Sequence, residues 1–302
     1  MTAAARPDAT ASGALLVVAG LVFQEVGASI SVTLFPQIGP IGMVALRLVF
    51  SAIILLAVAR PVLRGHTGSS WGSAIGFGLV LAGMNTCFYL SLDRIPLGPA
   101  VTLEILGPLT LSVIAGRRWI SVLWAGIALL GVLLLGGVLL HSGEAAALDP
   151  IGTVYALVAG ALWVGYILLS SRTGRAFPGL SGLAIAVAVA ALATIPLAAL
   201  TAGPALFAPV ILLLGLGVAV LSSAIPYALE FIALRRLSSA TFAIILASAP
   251  AIAAIAGLVL LSQQLSLPQW AGIACVVGAG IGAVRTARRG HEPEAEPTIA
   301  PG

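Results

Sequence analysis

YLSLDRIPLGPAVTLEILGP (residues 89–108) aligns without a gap to FIALRRLSSATFAIILASAP (residues 231–250), so that Arg94 meets Arg236 and Pro108 meets Pro250. Two further matches lie on either side. WAGIA at 124–128 returns as WAGIA at 270–274, and VVAG at 17–20 is matched by LVAG at 157–160. Chance similarity between Ala-, Leu- and Gly-rich segments is the competing explanation. Three matches in the same order argue against it, and the chain reads as two copies of one unit.

What is repeated follows from composition. The 302 residues are 60% hydrophobic and 8% charged, with a mean hydropathy of +1.15. A soluble domain carries about 25% charged residues, so this chain cannot coat a water-facing globule; its partner is the lipid bilayer. A bilayer core of ~30 Å needs about 20 apolar residues per helix. That ruler marks ten spans, near 13–35, 39–59, 71–92, 97–115, 119–140, 151–171, 180–202, 207–233, 238–261 and 268–285. The fold class is therefore an all-α integral membrane protein. Its domains are a first five-helix repeat at 13–140 and a second at 151–285, flanked by an N-terminal tail at 1–12 and a Pro- and Glu-rich tail at 286–302, expected to be disordered. The first span lacks a convincing cleavage site and is read as retained. An odd number of spans per unit turns the second copy over in the membrane, giving an inverted-topology repeat.

The basic residues test the span count independently. All fourteen are Arg, and twelve (6, 60, 64, 117, 118, 172, 175, 235, 236, 285, 288 and 289) fall on one side of the membrane. Arg94 alone takes the other side, and Arg47 lies inside a span. One missed span would scramble this bias. The positive-inside rule puts both termini in the cytoplasm, and the same rule explains the net charge of +4 without nucleic acid. No glycine-rich phosphate loop and no metal-spaced Cys/His cluster occurs. Cys87 and Cys275 lie in apolar runs, and His66, His141 and His291 in loops or the tail. The sequence therefore calls for no cofactor and no metal, and shows no catalytic constellation.

Charge inside a span costs at least ~2.5–3.5 kcal/mol on insertion scales and marks functional candidates. Glu25, Arg47 and Glu104 are such residues, with Gln24 and Asn85 adding uncharged polarity. Counting from the span ends at about 1.5 Å per residue puts Glu25, Arg47, Asn85 and Glu104 roughly 10–15 Å below the outer face. Four helices thus place their most polar residue in one layer. Arg47 presents a planar fork suited to a carboxylate, and a glutamate suits an ammonium or a proton. The set fits a zwitterion competing with a proton, or else a static ion pair that joins helices.

The second copy differs. Glu104 aligns with Leu246 and Glu25 with Gly165, while Trp163, Tyr166 and Tyr227 either line a cavity or simply pack. Glu230, close to Arg235 and Arg236, reads as an interfacial pair or a cytoplasmic gate. Pro108 and Pro250 should kink their helices, and Gly72 and Gly76 should allow close helix approach.

Ten spans in two five-helix copies with these motifs resemble the drug/metabolite transporter superfamily and its EamA-type domain. Within it, QEVGASISVTLFPQIGPIGMVALR, AGMNTCFYLSLDRIPLGPAVTLEILGP and AIPYALEFIALRRL are similar to the threonine/homoserine exporter group of bacterial inner membranes. The resemblance implies an exporter of small amino acids in the inner membrane, powered by proton antiport and not an enzyme. It departs from EamA-type second copies at Ala249, where a glutamate often precedes the proline, and at Ser262-Gln263, where Gly-Glu is usual. Two alternatives stay open: another cargo such as a cationic drug, and a membrane-embedded enzyme or sensor.

Overall fold

A computed structural model describes residues 7–116, 119–135, 148–226, 229, 233, 237 and 239–289. Tyr227, Glu230, Arg235 and Arg236 lie outside the described residues. Among the described residues the chain is helical without strands.

The first helical element, Pro7–Ala59, breaks at Gly39, whose φ of 68° and ψ of 166° no helix contains. We name its parts α1 (7–38) and α2 (40–59). The chain folds back there. Ser31 and Arg47 would stand ~24 Å apart in one straight helix, yet both reach the Tyr89 hydroxyl at 3.1 Å. Gly39 supplies the positive φ at no steric cost, and Pro40 starts α2 where a missing N–H does no harm.

Then come α3 (Gly68–Leu92), α4 (Leu97–Glu104), α5 (Leu106–Gly116), α6 (Trp119–Leu135), α7 (Pro150–Ala176), α8 (Ser181–Thr201) and α9 (Pro209–Ala219), which runs on into a π turn at Val220–Ala224. The last helices are α10 (Ser239–Leu246), α11 (Ala249–Leu261) and α12 (Leu267–Arg289). Side-chain oxygens cap two starts: Thr67 accepts the Ser70 N–H at 3.2 Å, and Asp149 accepts the Gly152 N–H at 2.8 Å. That hydrogen bond, aided by nearby Arg94, holds the Asp149 carboxyl below its usual range. Six stretches are long and apolar enough to cross a membrane, with shorter apolar helices at Leu97–Leu111, Val122–Leu135 and Pro209–Ala224.

The packing is that of a membrane bundle. Large aliphatics face outward, with Leu200 87% and Val259 70% exposed, while Ala100, Ala156, Ala184 and Ala186 are fully buried. Lipid solvates leucine as well as a protein core does, so small side chains that let backbones approach fill the interior. Helix α3 packs along α7 and α8, α6 along α12, α4 against α11, and the Pro7–Ala59 element against α8 and α9. Hydrogen bonds tie the bundle at several levels: Ser51 Oγ to Ser223 Oγ (3.0 Å), the Leu97 N–H to Gln263 Oε1 (2.9 Å), and Trp124 Nε1 to Thr286 Oγ1 (3.2 Å). The half-exposed Arg94–Asp149 pair, at 3.5 Å, joins the end of α3 to the start of α7.

Candidate functional site

A cavity of about 250 Å³ lies where these helices meet. Helix α1 contributes Gln24 and Glu25, α2 Arg47, α3 Asn85, α4 Glu104, and α7 Trp163 and Tyr166. The five polar residues singled out in the sequence thus share one cavity, and so do two of the three aromatics. Ser222 from the π turn, and Phe242 and Leu246 from α10, close it from the second half of the chain.

Local chain chemistry puts Glu104 there. Its carbonyl would ordinarily accept the N–H of residue 108, but Pro108 has none, and the helix is interrupted at Ile105. The freed carbonyl turns toward α7, where a Cβ on Gly160 would lie 2.6 Å from it. Only glycine permits that approach. The same device recurs four residues before Pro250: Leu246 ends α10, and α11 restarts at Ala249. Glu104 and Leu246, aligned in the repeat, both line the cavity. The expected close approach at Gly72 and Gly76 is not found. Nothing lies within 4 Å of a Cβ at Gly72, and Gly76 meets only a Leu169 methyl at 3.8 Å. Gly72 lines an open cleft beside Leu169 and Arg172 of α7, and the close contact is made by Gly107 and Gly160 instead.

Arg47 is held in place by a proton-ordered chain. Its Nη1 donates to the Tyr89 hydroxyl (3.1 Å), which must then donate to Ser31 Oγ (3.1 Å), which donates to the Gly27 carbonyl (2.8 Å). The guanidinium also stacks over the Tyr89 ring at 5.5 Å. Glu25 and Glu104 both feel the Arg47 charge, and Glu104 feels Glu25 as well. Glu25 is 2% exposed, yet its Oε2 has no hydrogen-bond partner, and neither does Ser222 Oγ. Asn85 donates to its own helix at Leu81 O (2.8 Å) and leaves its amide oxygen to the cavity side. A buried polar atom without a partner costs about 1–3 kcal/mol. Two such atoms, beside one base and two acids, make a site that a polar guest would complete.

Sequence reasoning missed Tyr89, Ser31 and Ser222. Tyr89 stands in a span beside ordinary aromatic packing, and nothing in its neighbours announces a bond to Arg47. Ser222 lies in an apolar run where a serine usually satisfies itself on its own helix. Among the described residues no group of three or more His, Cys, Asp or Glu is placed to hold a metal ion.

The EamA-like transporter family profile matches residues 150–285. The chain is 39% identical over 268 residues to the threonine/homoserine exporter RhtA of Salmonella typhimurium strain LT2, covering 89% of each protein. It is 38% identical over 263 residues to RhtA of Escherichia coli strain K12, covering 87% of this chain and 88% of that protein. The chain belongs to the EamA-like transporter family. As an EamA-like transporter it is a multi-pass membrane protein, and its fold is also that of a solved crystal structure at 20% identity, with a TM-score of 0.59 over 95% of this chain and 100% of the other. Its departures from other EamA-type second copies have structural correlates. Ala249 lines the cavity, so an acid there would face the same space as Glu104. Gln263 keeps an acceptor at the start of α4, and Ser262 takes the left-handed conformation (φ 55°, ψ 28°) that the usual glycine favours.

Proposed function

We propose that this transporter exports small amino acids of the threonine/homoserine kind across the bacterial cytoplasmic membrane, exchanging them for protons by alternating access. The observation that carries this is one buried cavity holding Arg47, Glu25 and Glu104, with an unpartnered Glu25 oxygen. Arg47 takes the substrate carboxylate, and a glutamate takes either the ammonium or a proton. Mutual exclusion at that carboxylate couples the two fluxes. Export as the direction follows the names of the relatives.

The architecture we propose for it is ten membrane helices in two inverted repeats, residues 13–140 and 151–285, with both termini in the cytoplasm. The arginine bias supports this, and so does the packing. Exchanging each helix with its repeat partner turns the α3–α7 contact into the contact of the first element with α9, and returns the α6–α12 contact to itself. Alternation then amounts to rocking one copy against the other around a fixed site, with the Pro108 and Pro250 breaks as its joints. Trp163 and Tyr166 form the apolar side of the site.

A cavity of about 250 Å³ is smaller than the ~300–1,000 Å³ of drug-sized sites, and Arg47 disfavours a cation. Both points weigh against a cationic drug as cargo. Counterflow in liposomes tests the reading. Vesicles loaded with unlabelled threonine or homoserine should take up the labelled compound transiently, with zwitterions and not organic cations competing. Absence of counterflow for both amino acids would refute the proposal.

A further inference from the structure

We infer that Ser222 is the residue by which this cavity recognises a hydroxyl on its cargo, favouring hydroxylated amino acids over their alkyl counterparts. The inference rests on the reading of the cavity as an amino-acid site and adds to it a third point of recognition, supplied by the second half of the chain.

Buried hydroxyls in these helices normally turn back on their own backbone: Ser29 donates to Glu25 O (2.8 Å), Thr102 to Gly98 O (2.7 Å) and Thr194 to Ala190 O (3.1 Å). Ser222 does not. It is 4% exposed and lines the cavity, and among the described residues its Oγ is the one buried hydroxyl oxygen without a partner. The cause is local. Val220–Ala224 is a π turn, in which the Ile225 N–H bonds Val220 O five residues back. Ser222 lies in the middle of that turn, and π turns are frequent at functional sites. The neighbouring Ser223 is tied to the scaffold through Ser51 (3.0 Å). The turn thus separates two adjacent serines into one that holds helices and one that lies in the cavity wall, its hydroxyl against Gly27. Across from it, Gly27 leaves room, since a Cβ there would run into Ser222 Oγ.

A hydroxyl can donate and accept, so Ser222 can pair with an alcohol in either sense. An alkyl group in the same place would leave Ser222 Oγ buried and unpaired, and sites built around such a bond reject the analogue that lacks it. With Arg47 on the carboxylate and a glutamate on the ammonium, the cargo's side-chain alcohol is the group left for Ser222.

The test is competition against labelled threonine in proteoliposomes of the full chain, using threonine, homoserine, valine and 2-aminobutyrate. In the unaltered protein the two alcohols should compete about 10-fold better than the two alkyl compounds, the size of one neutral hydrogen bond. Ser222→Ala should weaken the alcohols by about 10-fold and bring the ratio toward one, with the alkyl compounds little changed. Ser222→Cys, which keeps the shape but bonds weakly, should fall between; it carries the comparison should the alanine variant fail to fold. An equal ratio for alcohols and alkyls in the unaltered protein, or a ratio preserved in the variants, overturns the role of Ser222. If the unaltered protein transports none of the four, it is the amino-acid reading that fails.

Discussion

Replacing Tyr89 by phenylalanine removes the hydroxyl that accepts from Arg47 Nη1 and leaves the ring in place. The ring is fully buried, so its packing and the 5.5 Å stacking of Arg47 persist. Ser31 loses one contact at 3.1 Å but keeps its bond to the Gly27 carbonyl, so its share of the cost is small. Arg47 loses a donor bond of 3.1 Å. A hydrogen bond to a charged group is worth about 1.5–3 kcal/mol, and this is the expected ceiling for the substitution. If the bond aims the guanidinium, about half of that ceiling appears as weaker threonine binding, an increase in KM on the order of 10-fold. Transport kinetics in proteoliposomes give KM, and thermal unfolding in detergent gives the stability share. The decisive step is a double-mutant cycle. In an Arg47→Gln background, Tyr89→Phe should change KM little, because its effect passes through Arg47. Full additivity, or an unchanged KM in Tyr89→Phe alone, would refute the positioning role of Tyr89.

Three other expectations can be checked in parallel. Gly160→Ala brings a Cβ to 2.6 Å from the Glu104 carbonyl oxygen and 3.3 Å from its carbon; overpacking of about 1–3 kcal/mol outweighs the ~1 kcal/mol gain in helix propensity, so the unfolding temperature and transport both fall. Gly72→Ala, with open space around it, is the control and should lose neither. Ser262→Gly relieves a left-handed serine (φ 55°) and should raise stability by up to about 1 kcal/mol in chemical unfolding, a result that a lower midpoint would contradict. Asp149 has its carboxyl lowered chiefly by the Gly152 N–H, so its contribution is present above the ordinary carboxylate range and is lost as pH falls through the lowered value. Asp149→Asn should therefore remove part of the acid sensitivity of thermal unfolding at low pH, whereas an unchanged acid limb would show that the cap does not contribute.

The sequence made the membrane helices legible because lipid imposes a length and a polarity that no packing detail can override. Glu25, Arg47, Asn85 and Glu104 were legible for the same reason: a polar residue in an apolar run stands out, and depth along a helix follows from simple counting. What holds those residues was not legible. The link from Arg47 through Tyr89 to Ser31 joins positions 42 and 58 residues apart in sequence, and a helix pattern carries no record of which faces meet. The close approach likewise fell at Gly107 and Gly160 rather than at Gly72, since glycine spacing shows where backbones can meet and not where they do. Ser222 depends on a π turn, a one-residue change of winding that leaves hydropathy untouched.

Labelled threonine in proteoliposomes with an imposed pH gradient tests the central claim most directly, with Glu104→Gln measured beside the unaltered protein. Threonine should accumulate on the acidic side against its own gradient and collapse when a protonophore is added. Glu104→Gln should exchange threonine without that gradient-driven accumulation. Accumulation by Glu104→Gln equal to that of the unaltered protein would move the coupling to Glu25. If a pH gradient drives no accumulation in the unaltered protein, while threonine still exchanges freely, the competition of proton and substrate for one buried carboxylate is contradicted.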